Sequence, residues 1–459
     1  MKRFRRVLLV NPPGTEQGGY TPSPMGILYL AAYLREKERG VDISVVDGAI
    51  EGEQRVVQAI SVFRPDLVGV SSLTPGRHQA LRVARLVKHL TPSARVVLGG
   101  IHPTLMWSQM MEFYPEIDYI VRGEGEVAFS ELVLGKKLSE IRGLVWRGPR
   151  NVVINNPNQP LIHPLDSLPF PAWDLIDPLK YPPRGEGIVN GIDLGTEVRF
   201  SLIFSRGCMA ACTFCSSWKV WRGYRCRSGK NVAAEVEYLV HTYNAKHICF
   251  YDDTLTGNRR EIINFCKEIV LKKLKLALFG TTRVDLVDPE LLRWMKKAGF
   301  YIITYGIESG SPAMLLKINK RTDIEKSKRA VRLTKKAGIQ AVALLMYGMP
   351  TETEGDRRLT KRMLAEIQPD GIGTLGEVWI FPGTELFEQA MHAGIIDERF
   401  WLGKRPHYTY RGGIGDDPIN RKLQLLDTIK FTFTQLPPPA RRFILQFKEM
   451  IGKGIVPSK

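Results

Sequence analysis

Twice along this 459-residue chain, short β-branched runs alternate with longer amphipathic stretches. That alternation restricts the fold more than any other feature. Parallel strands cannot be joined by tight turns; they need crossovers of a dozen residues or more, usually helical. In residues 1–150 the strand candidates are Arg6–Val10, Val41–Asp47, Leu67–Ser71, Ala94–Leu98 and Asp118–Val121. Helical stretches lie between them, the first stopped at Gly40 and the second at Pro65. Five such units predict an open, doubly wound parallel sheet, a Rossmann-like α/β domain. From Arg199 the pattern resumes with Phe200–Phe204, His247–Tyr251, Leu276–Gly280, Tyr301–Ile307, Gln340–Tyr347 and Gly373–Phe381. Six units predict a partial (β/α)6 barrel, a truncated relative of the eightfold barrel. Between the two lies a linker, 151–195, rich in proline and anchored by Phe170 and Trp173. The expected organisation is therefore 1–150, 151–195, a barrel over 196–390 and a small helical C-terminal region over 391–459. Within the last, 421–433 and 441–451 read as basic amphipathic helices.

The chemistry is concentrated in one run, Cys208-Met209-Ala210-Ala211-Cys212-Thr213-Phe214-Cys215. It directly follows the first barrel strand, and in barrels the carboxyl ends of strands carry the active site. Three thiolates spaced C-x3-C-x2-C can hold three irons of a [4Fe–4S] cube and leave the fourth iron open to a ligand. A zinc site would want a fourth Cys or His at similarly tight spacing. The other cysteines, Cys226, Cys249 and Cys266, are scattered. Clustered thiols without a paired framework fit metal binding in a reducing, cytoplasmic compartment rather than disulfides. The basic start leads into Val7–Val10, too short for a signal-peptide core, and no apolar run is long enough to span a membrane. The net charge of +18 fits either an anionic or acidic partner or an ordinary basic surface. The basic residues are spread along the chain and no RNA-binding module signature occurs, so no nucleic acid is expected.

The cysteine run, with Phe214 before the third cysteine, resembles the signature of the radical S-adenosylmethionine (SAM) enzymes. The resemblance implies that Cys208, Cys212 and Cys215 hold the cluster, that its open iron binds SAM, and that the reduced cluster cleaves SAM to a 5′-deoxyadenosyl radical. It also implies an external electron donor such as ferredoxin or flavodoxin. Motifs at the ends of successive strands extend it: Asp252-Asp253, Arg283, Glu308-Ser309 and Gly348. With Phe214, these are the positions that surround SAM in the family.

The N-terminal domain adds a second resemblance. Ser71-Ser72-Leu73-Thr74, Gly99-Gly100-Ile101-His102 and Gly123-Glu124-Gly125 follow its third, fourth and fifth strands, where ligands of such sheets bind. These loops resemble those of the cobalamin-binding domain that precedes the barrel in one large radical SAM class, and imply that they hold cobalamin. The family's D-x-H-x-x-G loop, which supplies a histidine to cobalt, has no counterpart after the first strand, where Asn11–Gly19 contains no histidine. His78 and His102 are the nearest candidates for that role, and each also reads as a packing residue. The implied activity is C-methyl transfer from SAM, through methylcobalamin, to an unidentified small molecule or protein side chain. Cyclisation or oxidation with cobalamin is the alternative inside the class. A basic RNA- or partner-binding protein with a vestigial barrel is the alternative outside it. Cys226, in Arg222-Gly223-Tyr224-Arg225-Cys226-Arg227, reads as a substrate-facing or a plain loop thiol.

Overall fold

The computed structural model describes residues 3–14 and 22–403; the expected helices 421–433 and 441–451 lie outside them. The first domain is a seven-stranded sheet in the order β2-β1-β3-β4-β5-β6-β7. Strands β1 (Arg6–Asn11), β2 (Asp42–Asp47), β3 (Leu67–Ser71), β4 (Arg95–Gly99) and β5 (Tyr119–Val121) are parallel. Helices α1 (Met25–Lys37), α2 (Gly48–Phe63), α3 (Arg77–Leu90) and α4 (Ile101–Phe113) connect them, and α5 (Glu126–Val133) follows β5. This is the doubly wound arrangement expected. β6 (Leu144–Arg147) and β7 (Val153–Asn155) extend the sheet as an antiparallel hairpin. Sequence reading missed the hairpin, whose second strand falls inside the expected linker, because strands this short show too little periodicity to register.

The rest of the linker wraps the first domain against the second. It forms one small hairpin, β8 (Ile188–Val189) and β9 (Ile192–Asp193). The Ala172 amide donates to the Leu28 carbonyl of α1 at 3.2 Å. Trp173 is fully buried, 5.7 Å from the Phe200 ring. Phe170 lies under the Arg227 guanidinium.

The barrel is a six-stranded, wholly parallel sheet. It runs β10 (Arg199–Leu202), β13 (His247–Phe250), β14 (Ala277–Thr282), β15 (Phe300–Glu308), β16 (Gln340–Tyr347) and β17 (Gly371–Glu377). Between β10 and β13 a two-stranded ribbon, β11 (Ser205–Arg206) and β12 (Arg225–Cys226), encloses α6 (Ser217–Trp221) and is followed by α7 (Gly229–Tyr243). The remaining helices are α8 (Arg259–Leu271), α9 (Pro289–Ala298), α10 (Pro312–Lys317), α11 (Ile324–Lys336), α12 (Glu354–Ile367) and α13 (Glu385–His392). Local signals explain their limits. Asp288 caps α9 ahead of Pro289, the preferred order for a helix start. Gly299 ends that helix at φ 106°, with the Leu276 carbonyl against the place where a Cβ would stand.

One continuous core joins the α1/α5 side of the sheet to the linker and the barrel strands. A second core fills the α2/α3/α4 side and takes in Ile380, Phe387, Phe400 and Trp401. The chain thus returns from the barrel to the first domain. Arg77, 1% exposed, fastens that return. Its guanidinium donates to the carbonyls of Trp401 (2.6 Å), Gly403 (2.8 Å) and Thr74 (3.1 Å), and lies 5.0 Å from the Trp401 ring centre. A Trp401→Ala replacement is expected to destabilise the first domain by about 3–5 kcal/mol, seen as an earlier urea transition; an unchanged midpoint would contradict this account of the strap.

Candidate active site at the cysteine loop

The ribbon β11/β12 holds the loop Gly207–Ser216 at the carboxyl end of β10. Gly207 turns the chain into it at φ 83°, with the Gly223 carbonyl occupying the place of a would-be Cβ; no other residue fits there. The amides of Phe204 and Ser205 and the Ser205 hydroxyl donate to Asp252. Burial pushes the Asp252 carboxyl up to about 7, against the pull of those donors. Asp253 accepts from the Ser217 hydroxyl at the start of α6. The far side of the loop is tied to the α10–α11 connection and to α13. The Thr213 amide donates to the Ile318 carbonyl (3.1 Å), Asn319 Nδ2 to the Ala211 carbonyl (2.8 Å), and the Leu386 amide to the Thr213 carbonyl (3.0 Å). Phe214 packs with Met314, Ile318, Met349 and Leu386.

The other strand ends converge on this loop. Glu308, at the end of β15, adopts φ 67°, a strained conformation for a non-glycine residue and one concentrated at functional sites. Its Oε1 accepts from Lys320 Nζ at 2.7 Å, both side chains nearly enclosed. Arg283 is held by Asp285 at 2.9 and 3.0 Å and by the Lys320 carbonyl at 3.0 Å. Ser309 bonds the Ser311 amide (3.1 Å). The Gly348 amide, at φ 75°, donates to Glu352 (2.6 Å).

The loops of the first domain meet the barrel through a buried ionic cluster. Arg206, immediately before Gly207, bonds Glu124 at 2.8 Å and Glu126 at 2.5 Å. Burial alone would lower its pKa; the two carboxylates more than offset that and keep it charged. Arg225 bonds the same Glu124 at 3.0 Å, and the linker amide of Ile162 donates to it at 2.7 Å. Tyr29 and Trp221 flank the Arg206 guanidinium at 5.4 and 5.9 Å. Glu124 is therefore where both domains and the linker meet. His102 is buried, 3.2 Å from the Thr74 hydroxyl. Burial, with Arg77 adding to it, pushes its pKa down to about 3. His78 contacts the Gly403 carbonyl at 3.2 Å. Cys226 pairs with Ser205 in the ribbon and is half-buried.

Comparison with known proteins agrees with these two halves. The B12 binding domain family matches residues 15–133 and the Radical SAM superfamily matches residues 202–364. An uncharacterized methyltransferase of Pyrococcus horikoshii is 33% identical over 87% of this chain and 86% of its own length. The chain belongs to the B12-binding radical SAM family. An anaerobic magnesium-protoporphyrin IX monomethyl ester cyclase of Rubrivivax gelatinosus is also 33% identical, over 84% of this enzyme and 70% of its own chain. The fold is shared with the radical SAM methyltransferase TsrM of Kitasatospora setae, at TM-score 0.69, 21% identity and coverage of 85% and 75% of the two chains.

A [4Fe–4S] cluster, SAM and cobalamin are the cofactors of this radical SAM enzyme, and the residues present fit them. Cys208 Sγ accepts from the Ala210 amide (3.4 Å) and the Thr254 hydroxyl (3.1 Å), the donors a thiolate ligand requires. Burial raises the Cys212 pKa, which Lys320 and Arg283 pull back; it pushes Cys215 up to about 12. Thiols so placed ionise when a metal neutralises them. Among the described residues no three His, Cys, Asp or Glu side chains converge on a single ion. On the cobalamin side, the Ser72 hydroxyl is buried with no hydrogen-bond partner while Leu73 beside it is 48% exposed. Gly100, at φ 101°, brings the chain against the Ser72 carbonyl, and Gly123, at φ 74°, faces open space. An orphaned hydroxyl, an uncovered leucine and glycine-lined space suit a large ligand.

Sequence reading overlooked four residues here. Arg206 and Thr254 adjoin quoted motifs, so their positions were visible but their partners were not. Lys320 and Asn319 lie in the α10–α11 connection, and nothing in the sequence marks them.

Gly207→Ala is expected to reduce the iron and sulfide retained after reconstitution to a small fraction of wild type, with the fold intact by circular dichroism; full iron content would refute the loop geometry. Glu124→Ala leaves the Arg225 guanidinium without a carboxylate and Arg206 with Glu126 alone, and is expected to cost about 3–5 kcal/mol, measured by anaerobic urea unfolding.

Proposed function

We propose that this enzyme transfers a methyl group from SAM to an unactivated carbon of its substrate, with cobalamin as the carrier. One observation carries the reading. Arg206 is continuous with the cysteine loop and bonded to Glu124 and Glu126 beyond the fifth strand of the B12 domain; this link between the cysteine loop and the B12-domain loops across one interdomain junction, a common place for ligands, supports the reading. When bound, the cluster and SAM supply hydrogen abstraction from carbon, and cobalamin supplies a transferable methyl group.

The chain's own residues bind, orient and exclude water. Cys208, Cys212 and Cys215 hold the cluster, and Phe214 packs their loop against α10, Met349 and α13. Glu308 and Lys320 offer opposite charges to the ammonium and carboxylate of an amino-acid ligand. Arg283, Ser309 and Gly348 complete that wall, while Asp252 and Asp253 brace the loop behind it. Ser71, Ser72, Leu73, Thr74, Gly99, Gly100, Ile101, Gly123 and Gly125 form the cobalamin cradle, with His102 and Glu124 behind it as supports. The relative in Pyrococcus horikoshii, named a methyltransferase, supports this assignment.

Cyclisation or oxidation without methyl transfer is the second reading, favoured by the equally similar cyclase. No described helix is long and apolar enough to cross a membrane; the free cysteines favour a reducing cytoplasm, where ferredoxin or flavodoxin would supply electrons. Product analysis separates the two reactions. Methyl transfer is expected to yield S-adenosylhomocysteine and 5′-deoxyadenosine in equal amounts. 5′-Deoxyadenosine with substrate oxidised and no S-adenosylhomocysteine would sink methyl transfer and leave the cyclase reading.

A further inference from the structure

On the barrel surface, α10 and the start of α11 bound a groove of about 580 Å³ lined by Pro312, Leu315, Leu316, Asn319, Arg321 and Ile324. Leu316 is 83% exposed, an apolar centre open to solvent. The Thr322 hydroxyl in the lining is shielded and has no hydrogen-bond partner among the described residues. The surroundings are strongly basic. Residues 312–336 carry nine Lys and Arg against two Asp and Glu; Asp323 and Glu325 pair with Lys326 and Lys328 at 3.0 Å, and Lys320, Lys328 and Lys335 also pair with Glu308, Glu366 and Asp370 outside the stretch. Lys326, Arg329, Arg332 and Lys336 remain exposed on α11.

The inner wall of the groove touches the cysteine loop. Asn319, which lines it, donates to the Ala211 carbonyl, and Ile318 accepts from the Thr213 amide. Cys212 is thus bracketed by two hydrogen bonds, one from Asn319 in the groove wall and one to its neighbour Ile318.

We propose that this groove is the docking surface for a small acidic one-electron carrier protein of the ferredoxin or flavodoxin class, which reduces the cluster held by the cysteine loop. The proposal rests on the radical SAM reading. The carrier loses one electron and the cluster gains it, passing from the 2+ to the 1+ state; no bond or proton is transferred. An apolar centre within a charged rim is the usual anatomy of a transient interface, and opposite charge speeds encounter. Charge also decides between occupants. Residues 404–459 carry eleven Lys and Arg against four Asp and Glu, so neither the composition of that stretch nor the same face of a second copy offers the rim an opposite charge.

The test is binding of flavodoxin to the full-length, reconstituted protein, by anaerobic biolayer interferometry at low and physiological salt. Leu316→Glu and Lys326→Glu are each expected to weaken binding about tenfold or more, and added salt to weaken wild type. Val62→Glu, at a residue 74% exposed on the first domain, is the matched control and is expected to bind normally. Dithionite-driven SAM cleavage is expected to persist in all three variants. Groove variants that bind within about twofold of wild type, or a control that loses as much, would overturn the docking site. So would a shift in the self-association of Leu316→Glu with carrier affinity unchanged, which would assign the groove to a second copy. Failure of dithionite to drive SAM cleavage in wild type would instead strike at the radical SAM reading itself.

Discussion

The guanidinium of Arg206 is the contact on which the two halves of the enzyme depend. It is bonded to two carboxylates from the loop after β5 and the start of α5, and lies two residues before Cys208. A lone buried charge would be prohibitive; here two anions and two aromatic faces compensate it. Such a cluster tolerates little sliding, because any displacement strands a charge away from water. The B12 domain and the cysteine loop are registered by electrostatics as well as by apolar packing, and the linker amide of Ile162 draws the third segment to the same point.

Around that junction the site concentrates local cost. Gly207 takes a backbone conformation closed to other residues, Glu308 takes one unfavourable for its type, and Asp252 is a buried carboxyl. Each is offset by its neighbours. The ribbon β11/β12 holds the turn at Gly207, Lys320 pairs with Glu308, and the amides of Phe204 and Ser205 donate to Asp252. Strain of this kind persists where the surroundings over-determine it. The cysteine loop is held from both sides, by the residues that follow β13 behind it and by the α10–α11 connection in front.

The architecture also closes on itself. The chain leaves the barrel after β17, forms α13, and returns to the first domain, where Arg77 and Trp401 secure it. Both faces of the N-terminal sheet are thereby covered, one by α1 and α5 with the linker and barrel beyond them, the other by α2, α3, α4 and this strap. A parallel sheet requires such double cover, since both its faces are apolar.

Much of this was legible in the sequence. The alternation of strand and helix implied two parallel sheets, and the five first-domain and first five barrel strands lie close to where apolar runs predicted, while the sixth, expected at Gly373–Phe381, runs Gly371–Glu377. The cysteine spacing implied an iron–sulfur cluster, because neighbouring thiols along the chain are a local property of the sequence. The β6/β7 hairpin escaped, being too short to be periodic. What only the tertiary structure decided were the pairings across long separations. Glu124 became the meeting point of two domains, Lys320 the partner of Glu308, Thr254 a donor to Cys208, and Arg77 the clasp of a segment more than 300 residues away. Spacing along the chain encodes which residues share a loop or a helix face. Which buried charge faces which depends on how complete elements pack, and no short-range pattern records it.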